Sequence, residues 1–167
     1  MLESYNHQIE TDYGRNLPVF ENEEAAKVYY YEQRKENLSL LEDIYAELGI
    51  TLNYSVKSLI ELEEVYFSFF QENKFRDFQL SIRDLEECMS IYFGEVVTIH
   101  LDGASWIVKE YSFTEGAYVM GLQCGRRATY FSNLFEDHYM TAKDASGQKM
   151  HQLYKRYERK AKKMGPN

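Results

Sequence analysis

Cys124 is the residue whose type and setting come closest to those of a catalytic nucleophile. It stands in the run GLQCGRR, where Gly125 separates it from Arg126 and Arg127, two arginines that could lower the pKa of its thiol. A cysteine enzyme also needs a base within reach, for which His100 and His138 are the candidates. A cysteine in a strand is more often a small buried apolar residue. We favour that interpretation over a hydrolase or transferase that uses Cys124.

Metal and cofactor sites have no signature in the sequence. The two cysteines, Cys88 and Cys124, are far apart and lack the C-x-x-C spacing of zinc sites. The phosphate-binding patterns GxxxxGK[ST] and GxGxxG do not occur. The four histidines are isolated from one another along the chain: His7, His100, His138 and His151. The sequence therefore predicts no metal, no cofactor and no catalytic constellation.

Acidic residues are abundant, and Glu95 differs from the rest in its surroundings. Pairs such as Glu63-Glu64 and Glu86-Glu87 are typical of solvated helix faces. Glu95 instead follows Gly94 and precedes two valines. Its carboxylate could have a raised pKa, or it could reach a basic or backbone donor and fix its helix against a sheet. We expect the second.

The first element that could position these residues is a helix over about residues 22–48, after an irregular lead-in at 1–20. Asn22 is the expected N-cap, because its side chain can accept a hydrogen bond from a free amide of the first turn. Later apolar residues keep the spacing of one buried stripe. Gly49 supplies the left-handed stop.

A second helix is predicted at about 58–73. Ser58 and Glu61 have the S-x-x-E spacing of a capping box at its start. Phe67 and Phe70 widen its apolar arc beyond what a half-exposed helix requires. Such a helix is either central in the fold or carries a patch for a partner, and we favour central burial.

A third helix is predicted at about 78–100, with apolar residues at helical spacing on both sides of Gly94. A glycine inside a helix costs about 0.5–1 kcal/mol relative to alanine, so we expect a close neighbour at that turn. The alternative ends the helix at Gly94 and forms a strand over 95–101, where β-branched residues are frequent. We prefer the helix.

Beyond Asp102 the apolar period changes to two, which predicts antiparallel strands at 105–113 and 117–123 and a shorter one near 127–131. Trp106 is expected to be buried beside the third helix. A basic terminal helix follows within 146–167. The expected fold class is therefore α+β, with three N-terminal helices on one face of a small antiparallel sheet, and 167 residues suit a single domain.

Charge is unevenly distributed along the chain. Residues 146–167 hold seven of the nineteen Lys and Arg but one of the twenty-seven acids, so this tail carries +6 and the remainder −14. An acidic body suits a basic partner and repels phosphate backbones. We expect no nucleic-acid partner unless the tail engages one, and a solvated helix is the more ordinary interpretation of the tail. The fifteen tyrosines could line a wet core rim or a recognition surface.

Location follows from what the sequence lacks. The first residues have neither the basic start nor the apolar core of a secretory signal, and no segment approaches 18 apolar residues. We expect a cytoplasmic protein with reduced cysteines and no membrane partner.

Part of the chain resembles small acidic bacterial α+β domains, some of which act as immunity proteins of polymorphic toxin systems. The resemblance covers about residues 50–110 and rests on these residues: Leu52-Asn53-Tyr54-Ser55, Ser58-Leu59, Leu62-Glu63, Tyr92-Phe93-Gly94-Glu95-Val96, Gly103 and Trp106. It implies a stoichiometric binder in the cytosol rather than an enzyme.

The sequence thus predicts a non-enzymatic domain that binds a protein, in the narrowest case a toxin, and leaves homo-oligomerisation open. We expect the structural or interaction roles to fall on seven residues: Tyr30, Tyr31, Phe67, Phe70, Gly94, Glu95 and Trp106.

Overall fold

The computed structural model describes residues 14–130 and 145–163. The helices are α1 (Glu23–Glu47), α2 (Ser58–Glu72), the one-turn α3 (Lys74–Asp77), α4 (Ile82–His100) and α5 (Lys149–Lys163), which follows a 3-10 turn at Ala145–Gly147. The strands are β1 (Ala104–Glu110), β2 (Tyr118–Cys124) and β3 (Arg127–Tyr130), paired antiparallel in the order β1-β2-β3. The α+β prediction is confirmed.

The larger core lies among α1, α2, α4 and α5. Leu122 contributes to this core from the sheet, and the largest fully buried side chains of the core come from all four helices: Tyr45, Phe69, Tyr92, Phe93 and Tyr154. The predicted terminal helix is therefore α5, which packs its apolar face against α2 and α4.

A smaller core lies where α1 and α4 cross the sheet. Its buried members are Ala26, Ile91, Val108 and Met120. Partly buried aromatic residues surround these four side chains, so this core ends in an aromatic edge rather than in polar residues.

Both ends of α1 form as the sequence predicts. The Asn22 side chain accepts a 2.9 Å hydrogen bond from the amide of Ala25. At the other end Gly49 has φ +76°, its amide donates to the Ala46 carbonyl, and the Ile50 amide donates to the Tyr45 carbonyl. This is the Schellman arrangement, in which glycine supplies the left-handed residue.

The capping box predicted at the start of α2 is wrong. The N-cap residue is Lys57, which makes no side-chain cap. The Ser58 hydroxyl is buried, donates to the Ser55 carbonyl and lies 2.6 Å from the Tyr92 hydroxyl. Because Ser58 faces the core, its hydroxyl bonds to the neighbouring helix and not to its own first turn.

The third predicted helix begins four residues later than expected. A capping box does exist there: the Ser81 hydroxyl accepts from the Asp84 amide at 3.0 Å, and the Asp84 carboxylate accepts from the Ser81 amide at 3.4 Å. Before it, Gln79 has φ +51°, which interrupts helical geometry. The chain therefore forms the separate turn α3 before α4 starts at Ile82.

The helix assignment through Gly94 is confirmed, and the alternative strand at 95–101 is wrong. The α4 ladder continues to the Leu101 amide, which donates to the Val97 carbonyl at 2.9 Å. Gly94 is buried. That a close neighbour occupies this turn stays a prediction.

The loop that joins β1 to β2 is longer than expected, because β1 ends at Glu110 and not at residue 113. The Tyr111 amide still donates a 2.7 Å hydrogen bond to the Ala117 carbonyl, which holds the two ends of this loop together beyond the strands. A bridge between Val19 and Ala117 attaches the lead-in to the same place.

Some expectations fall outside the described residues. They concern His7, most of the lead-in, residues 131–144 with His138, and the last four residues. Within residues 14–130 and 145–163, every helix is too short or too polar to cross a bilayer.

Candidate interaction surface

Six aromatic residues line the seam between α1 and the sheet. We call them the aromatic rim: Phe20, Tyr29, Tyr30, Tyr31, Trp106 and Tyr118. Five are half-buried, and Tyr29 is 40% exposed. Three of these residues are consecutive in a single turn of α1, and the other three come from the lead-in, β1 and β2, where they surround the smaller core.

The first part of the rim is a set of touching rings. The Phe20 ring lies 5.1 Å from Tyr29 and 6.1 Å from Tyr118, centroid to centroid, and Tyr29 lies 5.3 Å from Tyr30. The Tyr30 hydroxyl donates to the backbone carbonyl of Tyr118. This hydrogen bond joins α1 to β2 and so fixes the position of the helix turn that carries the rings relative to the sheet.

The second part of the rim is organised around Glu95. The indole Nε1 of Trp106 donates a 3.1 Å hydrogen bond to Glu95 Oε2, and Arg34 Nε lies 4.0 Å from the same oxygen. Glu95 thus reaches a basic residue and ties α4 to β1, as the sequence predicts. Trp106 lies beside this helix as expected but is half-buried and not buried, because its indole nitrogen faces a carboxylate that is itself 25% exposed.

Arg34 completes this part of the rim and was missed by sequence reasoning. Its guanidinium carbon lies 5.3 Å from the ring centre of Tyr31 and 5.4 Å from that of Trp106. A cation within about 6 Å of an aromatic ring is attracted by its quadrupole. The three-residue spacing from Tyr31 to Arg34 places both on one helix face, and this was the available signal.

Acidic residues border the rim on α1. Glu21, Glu23 and Glu24 are exposed just before and within the first turn, and Glu32 lies one turn beyond Tyr29. Lys27 pairs with Glu23 at 3.4 Å and with Glu24 at 3.5 Å, and these carboxylates raise the pKa of the Lys27 ammonium. Lys35 likewise pairs with Glu32 at 3.5 Å, so the border has four acids against two lysines and its net charge is negative.

The two phenylalanines predicted as interaction residues on α2 are in different environments. Phe67 is buried in the larger core, at 7% exposure. Phe70 is 46% exposed, with its ring against Tyr66 and Phe75 at 5.1 Å in each case. Central burial of α2 is thus the better interpretation, and Phe70 lies apart from the rim.

The thiol of Cys124 lacks the electrostatics of a nucleophile. Burial raises its pKa, and Lys160 only partly opposes that effect. The expected lowering by Arg126 and Arg127 is wrong, because both arginines are exposed while the thiol is buried. Burial also raises the pKa of Cys88, to about 12.

Metal ligation finds no support in the part of the chain that the structure describes. That part contains no group of three or more His, Cys, Asp or Glu side chains placed to hold an ion. The Nε2 atom of His100 lies 2.8 Å from the carbonyl oxygen of Tyr54, so this histidine makes a structural hydrogen bond.

Glu63 is a buried carboxylate that the sequence analysis assigned to a solvated face. It accepts hydrogen bonds from the amides of Lys149, at 3.2 Å, and Met150, at 3.1 Å, at the N-terminus of α5. Burial raises its pKa, and the two backbone hydrogen bonds oppose that shift. Glu63 lies four residues after Leu59 and four before Phe67, so helical spacing places all three on the buried stripe.

Comparison with known proteins identifies a family whose description states no activity. A family model described as "Uncharacterised protein YwmA" matches residues 19–158. The chain is similar to "Uncharacterized protein YwmA" of Bacillus subtilis (strain 168), with 33% identity over 137 residues, which are 82% of this chain and 87% of that protein. No solved structure matches. The matched residues include the whole aromatic rim.

Proposed function

The chain belongs to the YwmA family of uncharacterised bacterial proteins, and we propose that it is a non-enzymatic domain that binds another protein through the aromatic rim. One observation carries the proposal. Six aromatic side chains stand half-exposed along one seam, and hydrogen bonds from Tyr30 to β2 and from Trp106 to α4 hold them in place.

Aromatic rings of this kind suit binding because they offer a large contact area at low entropic cost. Tyr and Trp are enriched in the centres of protein interfaces, and each has only two side-chain torsions to fix. The contacts among Phe20, Tyr29 and Tyr30 already restrict these torsions before a partner arrives. Binding at the rim would then require little further ordering.

Charge indicates the kind of partner. The chain without residues 146–167 carries −14, and the rim has acidic neighbours on α1. Complementary charge accelerates encounter and disfavours partners of the same sign. We therefore infer a partner with a basic surface, whose lysine or arginine side chains meet the acidic border while apolar side chains meet the rings.

An immunity-like role is the narrowest form of this function, with a toxin as the basic partner. It rests on the resemblance of residues 50–110 to small acidic bacterial domains, some of which act as immunity proteins, and on the acidic surface, while the name of the matched family carries no such role. Burial disfavours the thiolate of Cys124, which argues against the alternative of an enzyme that depends on this residue.

Affinity capture with matched variants tests the proposal. The chain is immobilised at low ionic strength and exposed to lysate of its host, as the wild type, as Tyr29→Ala and as Leu40→Ala. Tyr29 and Leu40 are both on α1 and are 40% and 42% exposed, so their truncation removes similar surface. We expect a basic protein that wild type and Leu40→Ala retain in equimolar amount and that Tyr29→Ala loses.

Two results would overturn the proposal. One is the recovery of no protein in equimolar amount by the wild type. The other is equal recovery of the same protein by the wild type and Tyr29→Ala, which would mean that the rim is not the contact surface.

A further inference from the structure

Helix α5 has two faces of opposite character. Met150 and Tyr154 are buried in the larger core, and the Tyr157 hydroxyl donates to Thr129 Oγ1 of β3 at 2.8 Å. The opposite face carries six exposed cations: Lys155, Arg156, Arg159, Lys160, Lys162 and Lys163. Fixed at its N-terminus by Glu63, the helix holds these cations on a rigid support.

Most of this positive charge is not neutralised. Glu158 is the only acid on α5 and pairs with Lys155 at 3.4 Å and Lys162 at 3.7 Å. The other four cations have no ion-pair partner among the described residues. We call these four the basic stripe: Arg156, Arg159, Lys160 and Lys163. They follow one another at spacings of three, one and three residues, which keeps them on one side of a helix.

We propose that the basic stripe is a second binding surface that engages the phosphate backbone of nucleic acid without reading its sequence. Two of its four cations are arginines, whose guanidinium groups can donate two parallel hydrogen bonds to a phosphate. The two lysines add further positive charge on the same side of the helix. The acidic body limits the contact to this helix, so the expected footprint is about four phosphates rather than an extended groove.

A membrane surface fits the stripe less well than nucleic acid does. Helices that lie on membranes bury an apolar face among the lipids. The apolar face of α5 is occupied by the core, and none of the large exposed apolar residues in the described ranges belongs to α5. The exposed face therefore offers charge alone, which suits a phosphate backbone.

Salt-dependent binding to a fluorescent DNA duplex tests the inference. With four phosphate contacts, a plot of the logarithm of the association constant against the logarithm of salt concentration should have a slope of about −3.6, so affinity falls roughly 100-fold between about 50 and 200 mM salt. A variant with all four stripe residues changed to Gln should lose this binding. Changing only Arg156 and Lys163 should reduce the slope by about 1.8.

A charge-matched control separates the stripe from net charge. It carries the same number of Lys→Gln and Arg→Gln changes at exposed positions elsewhere: Lys35, Lys57, Arg76 and Arg83. We expect it to bind the duplex nearly as the wild type does. Equal losses in the two variants, or the absence of duplex binding by the wild type at low salt, would overturn the inference.

Vesicles of phosphatidylserine and phosphatidylcholine provide the other arm of the test. Cosedimentation with vesicles in the absence of duplex binding would mean that the stripe serves a membrane, which also overturns the inference. Because α5 and the rim are separate surfaces, Tyr29→Ala should leave duplex binding unchanged. Failure of one proposal can therefore be told apart from failure of the other.

Discussion

Trp106 and Glu95 share a 3.1 Å hydrogen bond that crosses from the first strand to the fourth helix. The indole is the donor, and the carboxylate that accepts it also lies 4.0 Å from Arg34 Nε on the first helix. One carboxylate therefore connects three elements at the edge of the smaller core. This connection fixes one end of the aromatic rim, on which the proposed function depends.

The energy of this connection can be measured with a double-mutant cycle. Trp106→Phe removes the donor, and Glu95→Gln removes the charge while it keeps an acceptor. We expect Trp106→Phe to lower the free energy of unfolding by about 1–2 kcal/mol, since hydrogen bonds to charged groups contribute in this range. Urea denaturation of the single and double variants should show a coupling of about 0.5–1.5 kcal/mol. Strictly additive effects would mean that the charge of Glu95 adds nothing to its interaction with Trp106.

Glu63 should make stability depend on pH in a way that its glutamine variant lacks. Burial raises its folded-state pKa above the ordinary 4.5, so the neutral form is favoured in the folded state. Below pH 4.5 the group is neutral in both states. As the pH rises through the window from 4.5 to the folded pKa, the unfolded chain releases this proton first and stability falls.

Urea titrations of wild type and Glu63→Gln between about pH 4 and pH 8 check this prediction. As the pH rises, the unfolding free energy of the wild type should fall relative to that of Glu63→Gln, by about 1.4 kcal/mol for each unit by which the folded pKa is raised. Because Gln still has a carbonyl acceptor for the α5 amides, we expect the variant to fold. A difference that does not change with pH would show that Glu63 has the same pKa in both states.

Gly94 tests how tightly the fourth helix is packed. If a close neighbour occupies this buried turn, Gly94→Leu should lower the free energy of unfolding by about 1–3 kcal/mol through overpacking. Gly94→Ala should then fail to give the gain of about 0.5–1 kcal/mol that alanine brings to a roomy helix. Thermal denaturation of the two variants measures both effects. A marked rise in melting temperature for Gly94→Ala would contradict tight packing.

Cys124 should react slowly with iodoacetamide near neutral pH. Its thiol is buried and has a raised pKa, so the reactive thiolate is scarce. Cys88 is an internal comparison, because it is buried as well and has a pKa of about 12. Mass spectrometry should show both cysteines modified rapidly only after denaturant is added. Rapid modification of Cys124 in the folded protein would restore the enzyme alternative.

Local rules predicted the parts of the fold that depend on neighbouring residues. Asn22 and Gly49 carry end signals that act within a few residues, and both form as expected. Ser58 has the same kind of signal but turns into the core to meet Tyr92, a residue 34 positions away. The S-x-x-D pattern at Ser81 and Asp84 marks the true start of the fourth helix and could have been recognised.

The candidate surface was only partly accessible from sequence. Tyr30, Tyr31, Glu95 and Trp106 were selected. The three-residue spacing of Tyr31 and Arg34 is a local signal for Arg34, but its contacts with Glu95 and Trp106 need two helices and a strand to meet. Glu63 was misjudged for the same reason. Its partners are amides on α5, 86 and 87 residues further along the chain.

Hydroxyl-radical footprinting of the chain, free and bound to the partner that it captures, tests the proposed function most directly. Tyr29 and Phe70 are 40% and 46% exposed, so both should be oxidised readily in the free protein. The rim proposal predicts that complex formation protects Tyr29 and leaves Phe70 unchanged. Protection of Phe70 with undiminished oxidation of Tyr29 would contradict it and would place the binding surface on the second helix.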